Sequence, residues 1–165
     1  MTHPLLATTT TAALLALPTL LALGASAAAH AAGTVEVRWL QPERFSDVGR
    51  NAMDRERTLA SLAEILKQLG TQLPDGQTLT LDVSDVDLAG EIAPGRLRDI
   101  RVLRDRADWP RMDLHFTLSA GSTLLKSGSA QLADMGYMHG PPANGGYVYE
   151  QRMIERWFKS TFANP

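Results

Sequence analysis

The stretch "RMDLHFTLSAGSTLLKSGSAQLA", Arg111 to Ala133, decides the fold class. In its first half Met112, Leu114, Phe116 and Leu118 alternate with Arg111, Asp113, His115 and Thr117, the period of a strand with one buried face. Ala120-Gly121-Ser122 supplies a hairpin turn, and Thr123 to Ala133 returns as the antiparallel partner. A hairpin with one apolar and one polar face needs cover on the apolar side only.

The rest of the chain supplies that cover. In "VEVRWL" Val35, Val37 and Trp39 alternate with Glu36 and Arg38, predicting a half-buried strand that ends at Gln41-Pro42. "PERFSDVGR" reads as an ordered loop whose Phe45 tucks under the core. From Asn51 the period changes: Leu59, Leu62, Ile65, Leu66 and Leu69 fall three and four apart, opposite Arg55, Glu56, Glu64, Lys67 and Gln68. Asn51 or Asp54 is placed to cap this helix, and Gly70 sits where a C′ glycine would close it.

A second strand follows "LPDGQ", with Leu79, Leu81 and Val83 alternating against Thr78, Thr80 and Asp82. Val86 and Leu88 then fall on even positions, so an extra residue, a bulge or bend at Ser84-Asp85, is needed to keep the apolar side chains facing one core. "EIAPGRL" reads as a loop and "DIRVLRD" as a short strand carrying Ile100 and Val102. Trp109-Pro110 is an extended hinge, because a residue before proline avoids the α region. The Gly- and Pro-rich stretch Gly136–Tyr147 reads as a loop. In the closing helix Met153, Ile154, Trp157, Phe158 and Phe162 share a face, with Glu155 and Lys159 paired opposite.

The expectation is an α+β fold: a single, mostly antiparallel sheet of four to five strands with two helices packed on one face, in the order β-α-β-β-β-β-α. The other face would carry Glu36, Arg38, Asp113, His115 and Thr117, polar enough to meet water or a partner.

The first 33 residues contain no Asp, Glu, Lys or Arg. "TAALLALPTLLALG" has the length of a secretory h-region, interrupted by Pro18 and too short to span a bilayer, which needs about 20 apolar residues. Residues 1–31 are therefore read as a cleaved signal peptide, cut between Ala31 and Ala32, although its n-region has no Lys or Arg. Residues 32–165 form a single exported domain, periplasmic and without a stable membrane anchor after cleavage. With no cysteine in the chain, a disulfide, a thiolate metal site, a Cys nucleophile and a lipidated N-terminal cysteine are excluded. The 16 basic and 18 acidic residues give a net charge of −2, unlike the basic balance of a nucleic-acid binder or a polybasic membrane-surface protein.

Several clusters carry potential chemistry. Asp82, Asp85 and Asp87 offer oxygen ligands for a divalent cation but lack EF-hand spacing, and a solvated strand end blunted by charge is the preferred reading. Met135, Met138 and His139 are ligand types that suit copper. Against that, Met135 reads as a core residue at a strand end, with Tyr137 and Met138 closing over the last helix. Asp113 beside His115 is half of a hydrolytic constellation without its nucleophile; Ser127 and Ser129 could approach, but alternating polar residues on an exposed sheet face are the preferred reading of all four. Trp39, Trp157 and Phe158 are expected to pack, whereas Trp109, in a connector, joins Arg38, Asp113 and His115 as a candidate interaction face.

Taken together, "VEVRWLQPERFSDVG", "LDVSDVDLAGE", "IRVLRD…WPRMDLHFTL", "LADMGY" and "YEQRMIERWFKSTF" resemble the bacterial domain-of-unknown-function family numbered 3016, across about Val35 to Ala163. The resemblance implies a small exported proteobacterial protein with no established activity and no catalytic residues to carry over. The element order also looks like small envelope modules that assist transport or outer-membrane assembly. Many of those are lipoproteins, which a cysteine-free chain cannot be. The expected function is a non-enzymatic binding module of the cell envelope, without cofactor, that takes an unspecified envelope protein or ligand on its polar sheet face or the Gly136–Tyr147 loop; the alternatives are a small periplasmic metal-binding protein and a small hydrolase.

Overall fold

The structure is a computed structural model that describes residues 32–93, 100–104, 107–141 and 146–162. The signal-peptide reading falls on residues 1–31, outside the described residues. The loop expected at Gly136–Tyr147 is described only in part.

Among the described residues six strands and two α-helices follow in order: β1 (Thr34–Trp39), α1 (Ala52–Gln68), β2 (Gln77–Asp87), β3 (Glu91–Ala93), β4 (Ile100–Val102), β5 (Arg111–Ala120), β6 (Thr123–Ala133) and α2 (Val148–Phe162). The main sheet has the order β1-β2-β5-β6. β2 pairs antiparallel with β5, and β5 antiparallel with β6, whereas β1 runs parallel to β2. The fold is thus α+β, with a mixed four-stranded sheet. The parallel pair follows from α1, which carries the chain back to the starting edge before β2 begins.

The short strand at Ile100–Val102 does not join this sheet. It pairs with Glu91–Ala93, a segment expected as loop, to make a separate two-stranded hairpin. Gly90, at φ 81, turns the chain out of β2 into this hairpin; a Cβ there would meet the Val102 carbonyl oxygen at 2.7 Å.

The parity switch in β2 is a bulge. Val83 lies opposite Leu114 and Asp85 opposite Asp113, so Ser84 is the extra residue. Leu79, Leu81, Val83 and Val86 all face the core and are fully buried. Each such side chain contributes about 1.5–3 kcal/mol of transfer free energy. Losing the inserted residue would turn Val86 and Leu88 to solvent.

Both helices cover one face of the sheet. Leu59, Leu62 and Leu66 of α1 and Met153, Ile154 and Phe158 of α2 form one core with the inward residues of all four strands and with Phe45, which packs edge-to-face on Trp39 at 6.3 Å. Asn51 caps α1, its side chain accepting the Asp54 N–H at 2.9 Å. Gly70 is not a left-handed C′ residue. The helix instead tightens into a 3-10 turn over Leu69–Gln72, and Gly70 is needed because a Cβ would sit 2.5 Å from the Gly33 carbonyl oxygen. The pair expected between Glu155 and Lys159 is replaced by a closer neighbour: Gln151 Nε2 donates to Glu155 at 2.8 Å.

Candidate functional site

Among the described residues no helix covers the other face of the sheet, and the register sets its side chains in rows. Glu36, Thr80, Thr117 and Ser127 form one row; Arg38, Asp82, His115 and Ser129 form the next. Beyond the bulge come Asp85, Asp113 and Gln131, then Asp87, Arg111 and Ala133. Glu36, Arg38, Asp113, His115 and Thr117 therefore share this face.

All three acidic residues of the β2 bend point to it as well, because the bulge returns Asp85 and Asp87 to the side of Asp82. Each is taken by a different partner. Arg38 grips Asp82 with Nε and Nη2 at 2.5 and 2.9 Å. Asp85 accepts both the N–H and the hydroxyl of Ser46 at 2.7 Å, and Arg111 pairs with Asp87. The bend does not gather the carboxylates around one point, and among the described residues no group of three or more His, Cys, Asp or Glu is arranged to hold a metal ion.

His115 meets Ser129 across the β5–β6 pair, Nδ1 to Oγ at 3.3 Å. The residue opposite His115 on its other side is Asp82, whose carboxylate is held by the Arg38 fork, while Asp113 lies one row away, opposite Asp85 and Gln131. The row borders a shallow depression of about 240 Å³ that also includes Leu40 and Ser84. Trp109 is half-buried beside this face, its ring 5.7 Å from the Arg111 guanidinium.

The Met/His loop differs from its expected packing. Met135 is 64 % exposed, not a core residue, and Met138 and His139 are exposed too. The buried residues here are Asp134 and Tyr137. The chain turns directly after β6, with the Tyr137 N–H bonded to the Asp134 carbonyl, and the turn throws Met135 outward. Asp134 accepts from Arg156 at 3.1 Å, raising the guanidinium's pKa further. Tyr137 packs edge-to-face on Tyr149 at 4.9 Å and donates to Asp108 at 2.7 Å. Burial and that carboxylate together push its phenol well above the ordinary range.

A second concavity was not visible in the sequence. A cleft of about 360 Å³ lies between the start of α2 and the end of β2, lined by Leu88, Leu103, Tyr147, Tyr149, Arg101 and Glu150. Glu150 is only 3 % exposed, and its Oε1 accepts the Ala89 N–H at 2.8 Å. Burial raises its pKa; the Ala89 bond, its own N–H and Arg101 oppose that shift, and Asp47 adds to it. An acidic residue in the first turn of a helix is ordinarily a dipole-complementing surface group, so nothing in the local sequence marks Glu150 as buried.

A family model for a protein of unknown function, DUF3016, matches residues 33–160. The chain belongs to the DUF3016 family. The match takes in α1, α2 as far as Ser160 and every strand among the described residues, and so covers the sheet face and the cleft alike. No curated protein and no solved structure matches the chain significantly. Among the described residues no helix is long and apolar enough to cross a membrane.

Proposed function

We propose that this DUF3016 chain is an exported, non-enzymatic binding module of the cell envelope that takes a basic segment of a partner protein on its helix-free sheet face. The observation that carries the reading is the charge left on that face. Arg38 and Arg111 offset Asp82 and Asp87. Glu36 and Asp113 have no cationic partner among the described residues, and Asp85 is bound only by Ser46. A rigid sheet carrying uncompensated carboxylates steers and orients a cationic partner, with an attraction that weakens as salt rises. Export is supported by the charge-free N-terminal segment and its Ala-x-Ala site ending at Ala31.

The test is photo-crosslinking in the native cell from a probe at Thr117, with the mature N-terminus read by mass spectrometry. The expected result is a chain beginning at Ala32, joined to a Lys/Arg-rich segment, with the adduct lost in the Glu36→Lys, Asp113→Lys double variant. An adduct unchanged by this charge reversal, or a chain retaining Met1 in the cytoplasm, would overturn the reading.

A further inference from the structure

We propose that the cleft at the start of α2 is a second binding site, for a small zwitterion of the α-amino-acid class up to a dipeptide in size, with Glu150 receiving the ammonium and Arg101 the carboxylate. The site lies on the helix-covered side of the sheet and does not depend on the sheet-face reading.

The two charged groups are each half used. Glu150 spends Oε1 on Ala89 and is also stabilised by its own N–H, but no side chain among the described residues donates to it. Glu150 is one of the residues that line the cleft, although it is only 3 % exposed. On Arg101, Nη1 alone carries the protein contacts: Asp47 at 2.8 Å, the Gly90 carbonyl at 2.5 Å and the Ala89 carbonyl at 3.3 Å. Its Nε and Nη2 are without a partner among the described residues, and together they form the edge that matches a carboxylate in bidentate fashion. The bonds through Nη1 fix the guanidinium in place, so little side-chain entropy remains to be lost on binding.

Composition and size agree with this ligand. A buried carboxylate held only by backbone N–H donors is under-compensated, and a ligand ammonium supplies charge and hydrogen bonds together. Leu88, Leu103 and the rings of Tyr147 and Tyr149 offer an apolar wall to a side chain. Tyr147 is held by its hydroxyl contact to Thr58 at 3.0 Å, and Tyr149 by the Tyr137 ring. The volume lies at the small end for ligand pockets, which begin near about 300 Å³.

The probes are L-leucine and L-leucyl-L-leucine, titrated calorimetrically into the mature protein. N-acetyl-L-leucine, which lacks the ammonium, and L-leucinamide, which lacks the carboxylate, serve as paired controls. Saturable binding of either zwitterion is expected, weakened about tenfold or more by each control and by Glu150→Gln, which keeps an acceptor for Ala89. Affinity should rise with pH as Glu150 ionises. No saturable heat with either zwitterion, or equal binding of the N-acetyl form, would overturn the proposal. If Glu150→Gln fails to fold, the ligand controls alone still decide it.

Discussion

Glu150 Oε1 accepts the backbone N–H of Ala89 at 2.8 Å across 61 residues of sequence, tying the first turn of α2 to the end of β2. Glu150→Ala leaves the Ala89 N–H buried without an acceptor and should cost about 1–3 kcal/mol in urea unfolding at neutral pH. Glu150→Gln keeps an acceptor and should avoid that loss.

The same residue sets a pH dependence whose sign is fixed by its raised pKa. The native state holds the Glu150 proton at pH values where the unfolded chain, near its ordinary 4.5, has lost it. The stability this group contributes is complete below 4.5 and declines as pH rises through the higher native value. Glu150→Gln removes that dependence, so its stability relative to wild type should improve steadily from pH 4.5 upward. A difference that stays flat, or falls, across paired urea titrations would contradict the burial of an ionisable carboxyl here.

Gly128 is a tight point of the β5–β6 hairpin. It lies opposite Phe116 on the core side, and a Cβ added there would stand 3.2 Å from two atoms of that ring. Phe116 cannot swing clear, because Trp157 and Phe162 pack edge-to-face on it at 5.8 and 5.4 Å. Gly128→Val should therefore cost about 1–3 kcal/mol through overpacking, despite the higher strand propensity of valine. Chemical denaturation decides it, and a stabilised variant would show that the aromatic cluster can shift.

What could be foreseen from sequence, and what could not, divides along the range of the interaction. The switch from Val83 to Val86 gave away the bulge because a period-two pattern registers one inserted residue immediately. The stripe from Leu59 to Leu69 and the face from Met153 to Phe162 declared the helices for the same reason. β4 was legible in the alternation of Ile100 and Val102, but β3, three residues long and expected as loop, was not, and their pairing depends on the turn at Gly90. Glu150 and Asp134 look like surface acids until the fold supplies Ala89 to one and Arg156 to the other. Met135 shows the converse error, an apolar residue at a strand end left outside by the turn that follows. The candidate face was legible as alternating polar residues, whereas the cleft needed contacts between residues 101 and 150.

The acidic bend of β2 makes a prediction about metal. Asp82, Asp85 and Asp87 each hold a separate partner, so a cation would have to displace Arg38, Ser46 and Arg111 to recruit all three. Millimolar calcium should leave the melting temperature unmoved, since a ligand stabilises only by its preference for the folded state. The Arg38–Asp82 pair is itself exposed, with the Arg38 side chain at 63 %, and Arg38→Ala should cost less than about 1 kcal/mol. A calcium-dependent rise in melting temperature would mean that the carboxylates converge on a metal after all.

Lys126 connects the exposed edge of the sheet to the end of α2. Its Nζ donates to the Thr161 carbonyl at 2.6 Å and lies 5.7 Å from the centre of the Phe162 ring. A cation at this terminus complements the helix dipole, and a lysine on an edge strand opposes pairing with a second chain. The edge needs that protection, because Leu124 and Leu125 of β6 are 61 % and 47 % exposed beside a bulge at Leu118/Ser119. Lys126→Met keeps the aliphatic stem but loses the charge, and should cost about 0.5–1 kcal/mol in urea unfolding. It should also self-associate as concentration rises in sedimentation velocity runs, while Lys126→Arg restores both properties. A Lys126→Met variant that keeps wild-type stability and stays monodisperse would show that neither the helix end nor the strand edge depends on this charge.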